Sequence, residues 1–268
     1  ALELLARQAG IPLEEPGASP SGRARGGDLR SVMTLARDFF ARTLASSAGA
    51  QARDYLGGRG LEQAIAPYGL GFAPPSWSGL LDHAAGLGVG PALLVQAGLA
   101  REGERGPYDY FRNRLMIPIR DPLGRVVAFG ARTLDGSEPK YLNSPDTPLF
   151  TKRGLLFGLD RARKAKEGPV LVVEGYTDQM AAVLAGVEGV VAGLGTALTR
   201  EQGRLLERYF RDRPVVLLYD GDRAGVQAAE RAVAELAPAN LDLRVALLEG
   251  GLDPADLVRD RGGEALLE

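Results

Sequence analysis

Val170-Leu171-Val172-Val173-Glu174-Gly175-Tyr176-Thr177-Asp178 and Val215-Val216-Leu217-Leu218-Tyr219-Asp220-Gly221-Asp222 decide the fold. Each opens as a short run of branched and aliphatic residues, the pattern of a strand buried on both faces, and each run stops at an acid followed by glycine. Two further runs of this kind, Gly189 to Ala192 and Leu243 to Leu248, share the rhythm, and stretches of helical spacing at 177–186, 199–209 and 223–236 separate the four. Strand alternating with helix from Pro169 onward predicts an α/β fold whose mainly parallel sheet is flanked by helices.

In open α/β sheets ligands bind beyond the carboxyl ends of the strands, so the residues that close each strand carry the functional reading. Here Glu174 closes the first strand and Asp220 the third, and the glycine after each lets the backbone turn sharply and a bulky ligand approach. Asp220 and Asp222 lie two apart, so an extended backbone through Gly221 turns both carboxylates to one side. Three acids crowded at one sheet edge repel unless a cation neutralises them, and an all-oxygen donor set suits Mg²⁺ or Mn²⁺. Strand-end acids also cap helices, an alternative that stays open for Asp222 ahead of Arg223. Asp253, after the last strand, is expected to join the metal set, although Asp253-Pro254 also reads as a helix start; Asp256 is a weaker candidate.

The N-terminal part has a different texture. Residues 14–28 are rich in Gly, Pro and Ser and read as a linker, after which Leu29, Val32, Met33, Ala36, Phe39, Phe40 and Leu44 mark an amphipathic helix. Leu115 to Ile119 and Val126 to Phe129 flank Asp121-Pro122-Leu123-Gly124, a type I turn signature, and predict a β-hairpin. Residues 135–158 read as a connecting segment on the surface. The expected organisation is an α+β N-terminal subdomain over 1–158 followed by the α/β unit over 159–268.

The chain has 268 residues, 45% hydrophobic and 25% charged, with 32 basic against 34 acidic side chains, so net charge does not announce a nucleic-acid partner. A basic cluster does occur at Lys152, Arg153, Arg161, Arg163, Lys164 and Lys166. The absence of cysteine excludes disulfides and cysteine-ligated zinc, no apolar run approaches the roughly 20 residues of a membrane span, and the expected compartment is the cytoplasm. Because the chain opens on Ala1 within a helical pattern (Leu2, Leu4, Leu5, Ala9), it reads as an excerpt of a longer protein. His83, a lone histidine, is given no ligand role. Trp77 reads as packing, as do Tyr141 and Phe150, and the Gly193/Gly195 turn reads as architectural, since it lacks a third glycine or a P-loop lysine.

Glu174 after a hydrophobic strand, with Asp178 beyond it, and Asp220-Gly221-Asp222 after a later strand resemble the Toprim signature shared by primases, topoisomerases, nucleases and recombination mediators. Further segments resemble the catalytic core of bacterial replicative primase: Tyr55-Leu56-Gly57-Gly58-Arg59-Gly60-Leu61, Leu70-Gly71-Phe72-Ala73-Pro74, Phe111-Arg112-Asn113-Arg114 through Asp121, Gly130-Ala131-Arg132, Pro139-Lys140-Tyr141-Leu142-Asn143-Ser144-Pro145 and Phe150-Thr151-Lys152. They run in order through the whole chain.

The resemblance implies a nucleotidyltransferase that makes RNA primers on single-stranded DNA from NTPs. It implies that Glu174, Asp220 and Asp222 bind metal, that Asp178 is a further essential acid, and that Lys140 with Arg59, Arg112, Arg132 and Lys152 serves nucleotide and template. It also implies flanking domains, one binding zinc and one the replicative helicase, around a monomeric core. Two departures stand out. Ala255 occupies a position where the family often has a carboxylate, and Tyr110 one that is commonly Arg. Two rivals stay open: a type IA topoisomerase, which would pair the same acids with a nucleophilic tyrosine, and a non-catalytic DNA-binding Toprim module.

Overall fold

The computed structural model of the chain describes residues 28–195, 197–220, 223–248 and 253–267. The linker reading at 14–28, apart from Asp28, and the helical pattern at the start of the chain lie outside the described residues.

Helix α1, Leu29–Ala45, forms where apolar residues recur at three- and four-residue steps, and it buries that stripe through Val32, Met33, Ala36, Phe40 and Leu44. Helices α2 (Ala50–Gly58) and α3 (Ile65–Tyr68) lead to strand β1 (Gly71–Ala73), which packs on α1. The approach requires glycine, because a Cβ on Gly71 would lie 2.5 Å from Phe40 Cβ and 2.7 Å from the Phe40 carbonyl carbon. Helices α4 (Gly79–Gly86) and α5 (Pro91–Gln96) and a small pair, β2 (Ala100–Arg101) with β3 (Tyr108–Asp109), follow. The expected hairpin is present as β4 (Arg114–Arg120) and β5 (Val126–Thr133). In its turn the Gly124 N–H donates to the Asp121 carbonyl at 2.8 Å. With β6 (Tyr141–Asn143) these strands make an antiparallel sheet in the order β1-β4-β5-β6. Alternation along β4 sends Leu115, Ile117 and Ile119 into one core cluster and Met116 into another, shared with α1.

After α6 (Leu159–Ala162) come β7 (Val170–Val173), α7 (Tyr176–Leu184), β8 (Val190–Ala192), α8 (Arg200–Phe210), β9 (Val215–Asp220), α9 (Arg223–Leu236), β10 (Leu243–Leu248) and α10 (Pro254–Arg261). All the pairings are parallel and the strand order is β10-β9-β7-β8, as the alternating pattern requires. Helices α8 and α9 cover one face through Leu206, Phe210, Ala229, Ala232 and Leu236. On the other face Tyr176, Met180 and Ala182 of α7 and Leu257 of α10 join a cluster that also holds Leu44, Phe72, Ile117, Leu171 and Val190, so one core runs through both sheets.

Two expectations change. The segment 135–158 is not merely a surface connection. It supplies β6, and Asn143, Ser144, Phe150, Leu155, Leu156 and Phe157 are buried. Its polar residues go inside because they find partners: Ser144 Oγ accepts the Phe129 N–H at 3.0 Å, and the Phe157 N–H and C=O pair with Ala192 at the outer edge of β8. Strand β10 is the opposite edge of the sheet and is covered less completely than the apolar run suggested, with Val245 and Leu247 each 44% exposed.

Candidate active site

Strands β7, β9 and β10 end together, because their parallel registers align Val172 with Leu217 and Asp220 with Leu248. Glu174 follows β7 directly, Asp220 is the last residue of β9, and Asp253 opens α10. Asp178, in the first turn of α7, accepts the Gly175 N–H at 3.1 Å, which satisfies one of the helix's open donors. Burial first, and then the neighbouring carboxylates of Asp253, Asp220 and Glu174, push the Asp178 carboxyl up to about 7 against the lowering effect of the Gly175 N–H. Acids that follow three strands, β7, β9 and β10, thus lie within electrostatic reach of Asp178.

Gly221 and Asp222 lie outside the described residues, so the second arm of the Asp-x-Asp pair has no geometry to compare with its expected role. Among the described residues no three acids or histidines form a ready-made metal cage. Asp253 takes the capping role that its sequence context also allowed: its Oδ1 accepts the Asp256 N–H at 2.7 Å, with Pro254 in the first turn. Asp256 is paired with Arg259 at 2.7 Å. The crowding around Asp178 is the observation that bears on a cation. Like charges packed about a partly desolvated carboxyl are relieved by a hard divalent ion, and the oxygen-only donors fit Mg²⁺ or Mn²⁺.

The basic residues divide into separate groups. Arg132, on β5 and only 8% exposed, lies 4.9 Å from the Tyr55 ring and 5.0 Å from that of Tyr141, and donates to the Tyr141 hydroxyl. Arg59, exposed at the end of α2, is 5.7 Å from the same Tyr55 ring. Burial raises the Tyr55 phenol, Arg132 and Arg59 lower it, and Asp178 is within electrostatic reach, so this pair of arginines borders the acidic cluster. Arg112 is elsewhere, 4.0 Å over the ring of Trp77 and 5.4 Å from that of Tyr108. Lys140 is exposed just before β6, and Lys152 lies in a 3₁₀ turn, Lys152–Gly154.

Trp77 overturns its reading as a packing residue, for it is 64% exposed and presents a face to Arg112. The signal was available in Pro74-Pro75-Ser76-Trp77, an aromatic within turn-forming residues rather than on an apolar stripe. Phe150 is buried and Tyr141 half-buried. Tyr110 does not leave its neighbourhood without a cation, since Arg101 lies 4.5 Å over its ring.

The sequence matches the family described as DNA primase catalytic core, N-terminal domain, over residues 39–163, and Toprim-like over 171–258. The RNA polymerase domain of Mycobacterium tuberculosis primase DnaG, solved in complex with a double-stranded DNA oligomer carrying a 6-nucleotide overhang, superposes with a TM-score of 0.81 at 41% identity, covering 89% of this chain and 78% of that one. The chain belongs to the DNA primase catalytic-core family. A DNA primase of Synechococcus elongatus is 49% identical over 236 residues, which are 84% of this chain and 34% of the relative. A structure of Aquifex aeolicus primase described as comprising zinc-binding and RNA polymerase domains gives a TM-score of 0.82 at 31% identity, covering 99% of this chain and 64% of that one. The chain spans under half the length of curated primases that it matches, 34% to 45%.

Within this primase-family core two cavities open beside the acids. One, of about 320 Å³, is lined by Glu174, Gly193, Gly195, Tyr219 and Arg231 among others. Burial pushes the Tyr219 phenol up to about 12, Glu174 raising it and Arg231 lowering it, so the acid and the arginine both lie near that ring. The second, of about 570 Å³, shares Ala197, Leu198 and Arg231 with the first and continues to Lys152, Arg153 and Asp146. Arg231 was not singled out in the sequence, where it is one of many helical arginines. Among the described residues no helix is long and apolar enough to cross a membrane.

Proposed function

We propose that this chain is the catalytic core of a DNA primase, which copies a single-stranded DNA template into short RNA primers from NTPs and releases pyrophosphate. The observation that carries the reading is that Glu174, Asp220 and Asp253 stand at the carboxyl edge of β7, β9 and β10, within electrostatic reach of Asp178 and beside the cavity that Glu174 lines. Membership of the primase family and the DNA-bound relative support it.

In this reading Glu174, Asp220, Asp222 and Asp253 hold Mg²⁺, or Mn²⁺ in its place. When bound, such an ion would supply charge neutralisation at the α-phosphate and a lowered pKa for the attacking 3′-hydroxyl. Asp178, fixed by the Gly175 N–H, lies within electrostatic reach of the metal acids, and a cation bound there would relieve the repulsion that raises it. Arg59 and Arg132 take template or primer phosphates next to the acids, where the tyrosines limit their motion. Arg112, stacked on Trp77, offers a template base an aromatic face with a cation behind it, a contact worth roughly 1–3 kcal/mol per base. Lys140 and Lys152 offset charge on the nucleotide.

The reading divides the chain into a nucleic-acid-binding subdomain over 1–158 and a Toprim catalytic subdomain over 159–268. It assigns zinc binding and contact with the replicative helicase to other parts of the whole protein, and it describes a cytoplasmic, monomeric core. The test is primer synthesis on single-stranded DNA with NTPs and Mg²⁺ or Mn²⁺, by the chain and by the whole protein containing it. Glu174→Gln is expected to retain template affinity and lose synthesis. Absence of oligoribonucleotides from both forms, or indifference of synthesis to Glu174→Gln, overturns the reading.

A further inference from the structure

Helix α8 buries Leu206 and Phe210 on one side, and on the other Arg200, Arg204, Arg208 and Arg211 stand exposed in a row. Five arginines and no lysine fall between Thr199 and Pro214, in a chain whose net charge is −2. Arginines on a helix surface are usually solvated, and Arg208 and Arg211 also answer the negative end of the helix. Their partners nonetheless leave the row open. Arg200 meets Glu235 at 3.5 Å and Arg211 meets Glu207 at 3.7 Å, while none of the ion pairs between described residues involves Arg204 or Arg208. Arg204, Arg208 and Arg211 line an open hollow of about 580 Å³ together with Glu207 and Asp212.

A second basic element is fastened to the end of this helix. Arg213 donates through Nε to the Gly168 carbonyl at 2.8 Å, through Nη1 to Ala165 at 2.7 Å, and through Nη2 to Glu167 at 2.7 Å and Pro169 at 3.3 Å. The loop between α6 and β7 is thereby held against the chain leaving α8, and its Arg163, Lys164 and Lys166 are exposed. They belong to the basic run seen in the sequence, and neither nucleotide nor template is assigned to them. Gly168 and Arg213 precede β7 and β9, so this face lies at the amino edge of the sheet, about 20 Å along β9 from Asp220 at the usual rise of a strand.

We infer that this face, Arg204, Arg208 and Arg211 with the loop of Arg163, Lys164 and Lys166, docks an extended acidic segment of a partner protein. The steps from Arg204 to Arg208 and on to Arg211 rise roughly 6 and 4.5 Å along the helix, and carboxylates at alternate positions of an extended peptide repeat at about 6.6 Å, so one strand can meet the arginines in turn. The planar guanidinium fork receives both oxygens of a carboxylate. Nucleic acid matches the face less well. A duplex carries a charge every ~1.7 Å of its axis, far denser than the row, and Glu201, Glu207 and Asp212 lie among the arginines to repel it. Single strands bind where rings are free to stack on bases, whereas Tyr209 on α8 is half-buried with Arg208 5.5 Å from its ring. The docking face stands independently of the primase reading.

Fluorescence anisotropy of a labelled peptide alternating Glu and Ser, with a Gln-Ser peptide beside it, tests the face on the 268-residue chain at low ionic strength. Arg204→Glu combined with Arg208→Glu reverses the charge, Arg204→Gln with Arg208→Gln removes it while keeping good helix formers, and Arg30→Glu, exposed on α1, is the control. The charge-reversed pair is expected to bind the Glu-Ser peptide about tenfold more weakly than the parent, as loss of two exposed ion pairs with added repulsion should. The Gln pair should lose less, Arg30→Glu should match the parent, and the Gln-Ser peptide should not bind. Single-stranded DNA binding and primer synthesis should be the same in every variant. Equal Glu-Ser affinity in the parent and the charge-reversed pair, no binding by the parent, or an equal loss in Arg30→Glu overturns the docking face. Loss of single-stranded or duplex DNA binding by the charge-reversed pair beyond that of Arg30→Glu also overturns it and gives the face to nucleic acid. The primase reading is separate, since it stands or falls on primer synthesis and its response to Glu174→Gln.

Discussion

The side-chain amide of Asn143 donates to the Leu194 carbonyl at 2.7 Å, while its Oδ1 accepts the Tyr176 hydroxyl. One residue of the antiparallel sheet thereby fastens the turn after β8 and the start of α7 in the parallel one. All the partners are buried, so removing Asn143 leaves a carbonyl and a phenol without their bonds. Asn143→Ala is expected to cost about 2–4 kcal/mol, summing roughly 1–3 kcal/mol for each group left unsatisfied. Denaturant unfolding measures it, and a change below 0.5 kcal/mol, expected of about any neutral surface site, would contradict the assignment.

Gly71 lies against the backbone of Phe40, closer than a methyl group can approach. Gly71→Ala should force α1 off β1 and destabilise by about 1–3 kcal/mol or more, as overpacking does. Thermal unfolding compared with Gly86→Ala, where nothing lies within 4 Å of the added carbon, separates the clash from a general effect of the substitution.

Asp109 is 3% exposed, and its carboxylate accepts the Leu80 and Leu81 N–H groups at 2.7 and 3.1 Å at the start of α4. Burial nonetheless pushes it up to about 6. A folded-state value above the ordinary one of 3.8 means that the folded chain binds the extra proton, so this stabilisation is complete below pH 3.8 and is lost as pH rises to about 6. Asp109→Asn should flatten that part of the stability profile, which at about 1.4 kcal/mol per unit amounts to at most about 3 kcal/mol. Chemical denaturation at a series of pH values reads it directly.

Asp178 follows the same sign. Raised to about 7, it is destabilising when ionised in the metal-free protein, and the loss accumulates between roughly pH 4 and pH 7. Asp178→Asn keeps an acceptor for Gly175 and removes the repulsion, so the metal-free chain should melt higher at pH 8, by about 2–4 °C for each kcal/mol recovered. Mg²⁺ should raise the melting temperature of the parent more than that of the variant. Equal responses to Mg²⁺ would remove Asp178 from the cation site.

The parallel sheet was legible because its signals are local. The expected helix at 223–236 is Arg223–Leu236, and the expected strand from Val215 to Tyr219 extends one residue further, to Asp220. Glu174, Asp220 and Asp253 could be singled out from sequence because each stands at a strand end or a helix start, whereas Asp178 entered only through the resemblance. What escaped depends on partners distant in sequence. The burial of Asn143 and Ser144 needs acceptors and donors more than ten residues away, the exposure of Trp77 needs Arg112, and the position of Arg231 needs the turn at Lys152. The division of the basic residues into separate groups was also hidden, because a motif gives their order along the chain and not the sheet face each one reaches.

The cluster that holds Leu44, Phe72 and Ile117 together with Leu171, Met180 and Val190 belongs to both halves of the chain. A cut near residue 158 would open apolar surface on each piece, so the halves should melt in one cooperative transition, and a nicked chain should stay associated until it unfolds. The surface proposed to carry the template and the edge proposed to perform the transfer would then be lost together, which ties their relative placement to the stability of the whole.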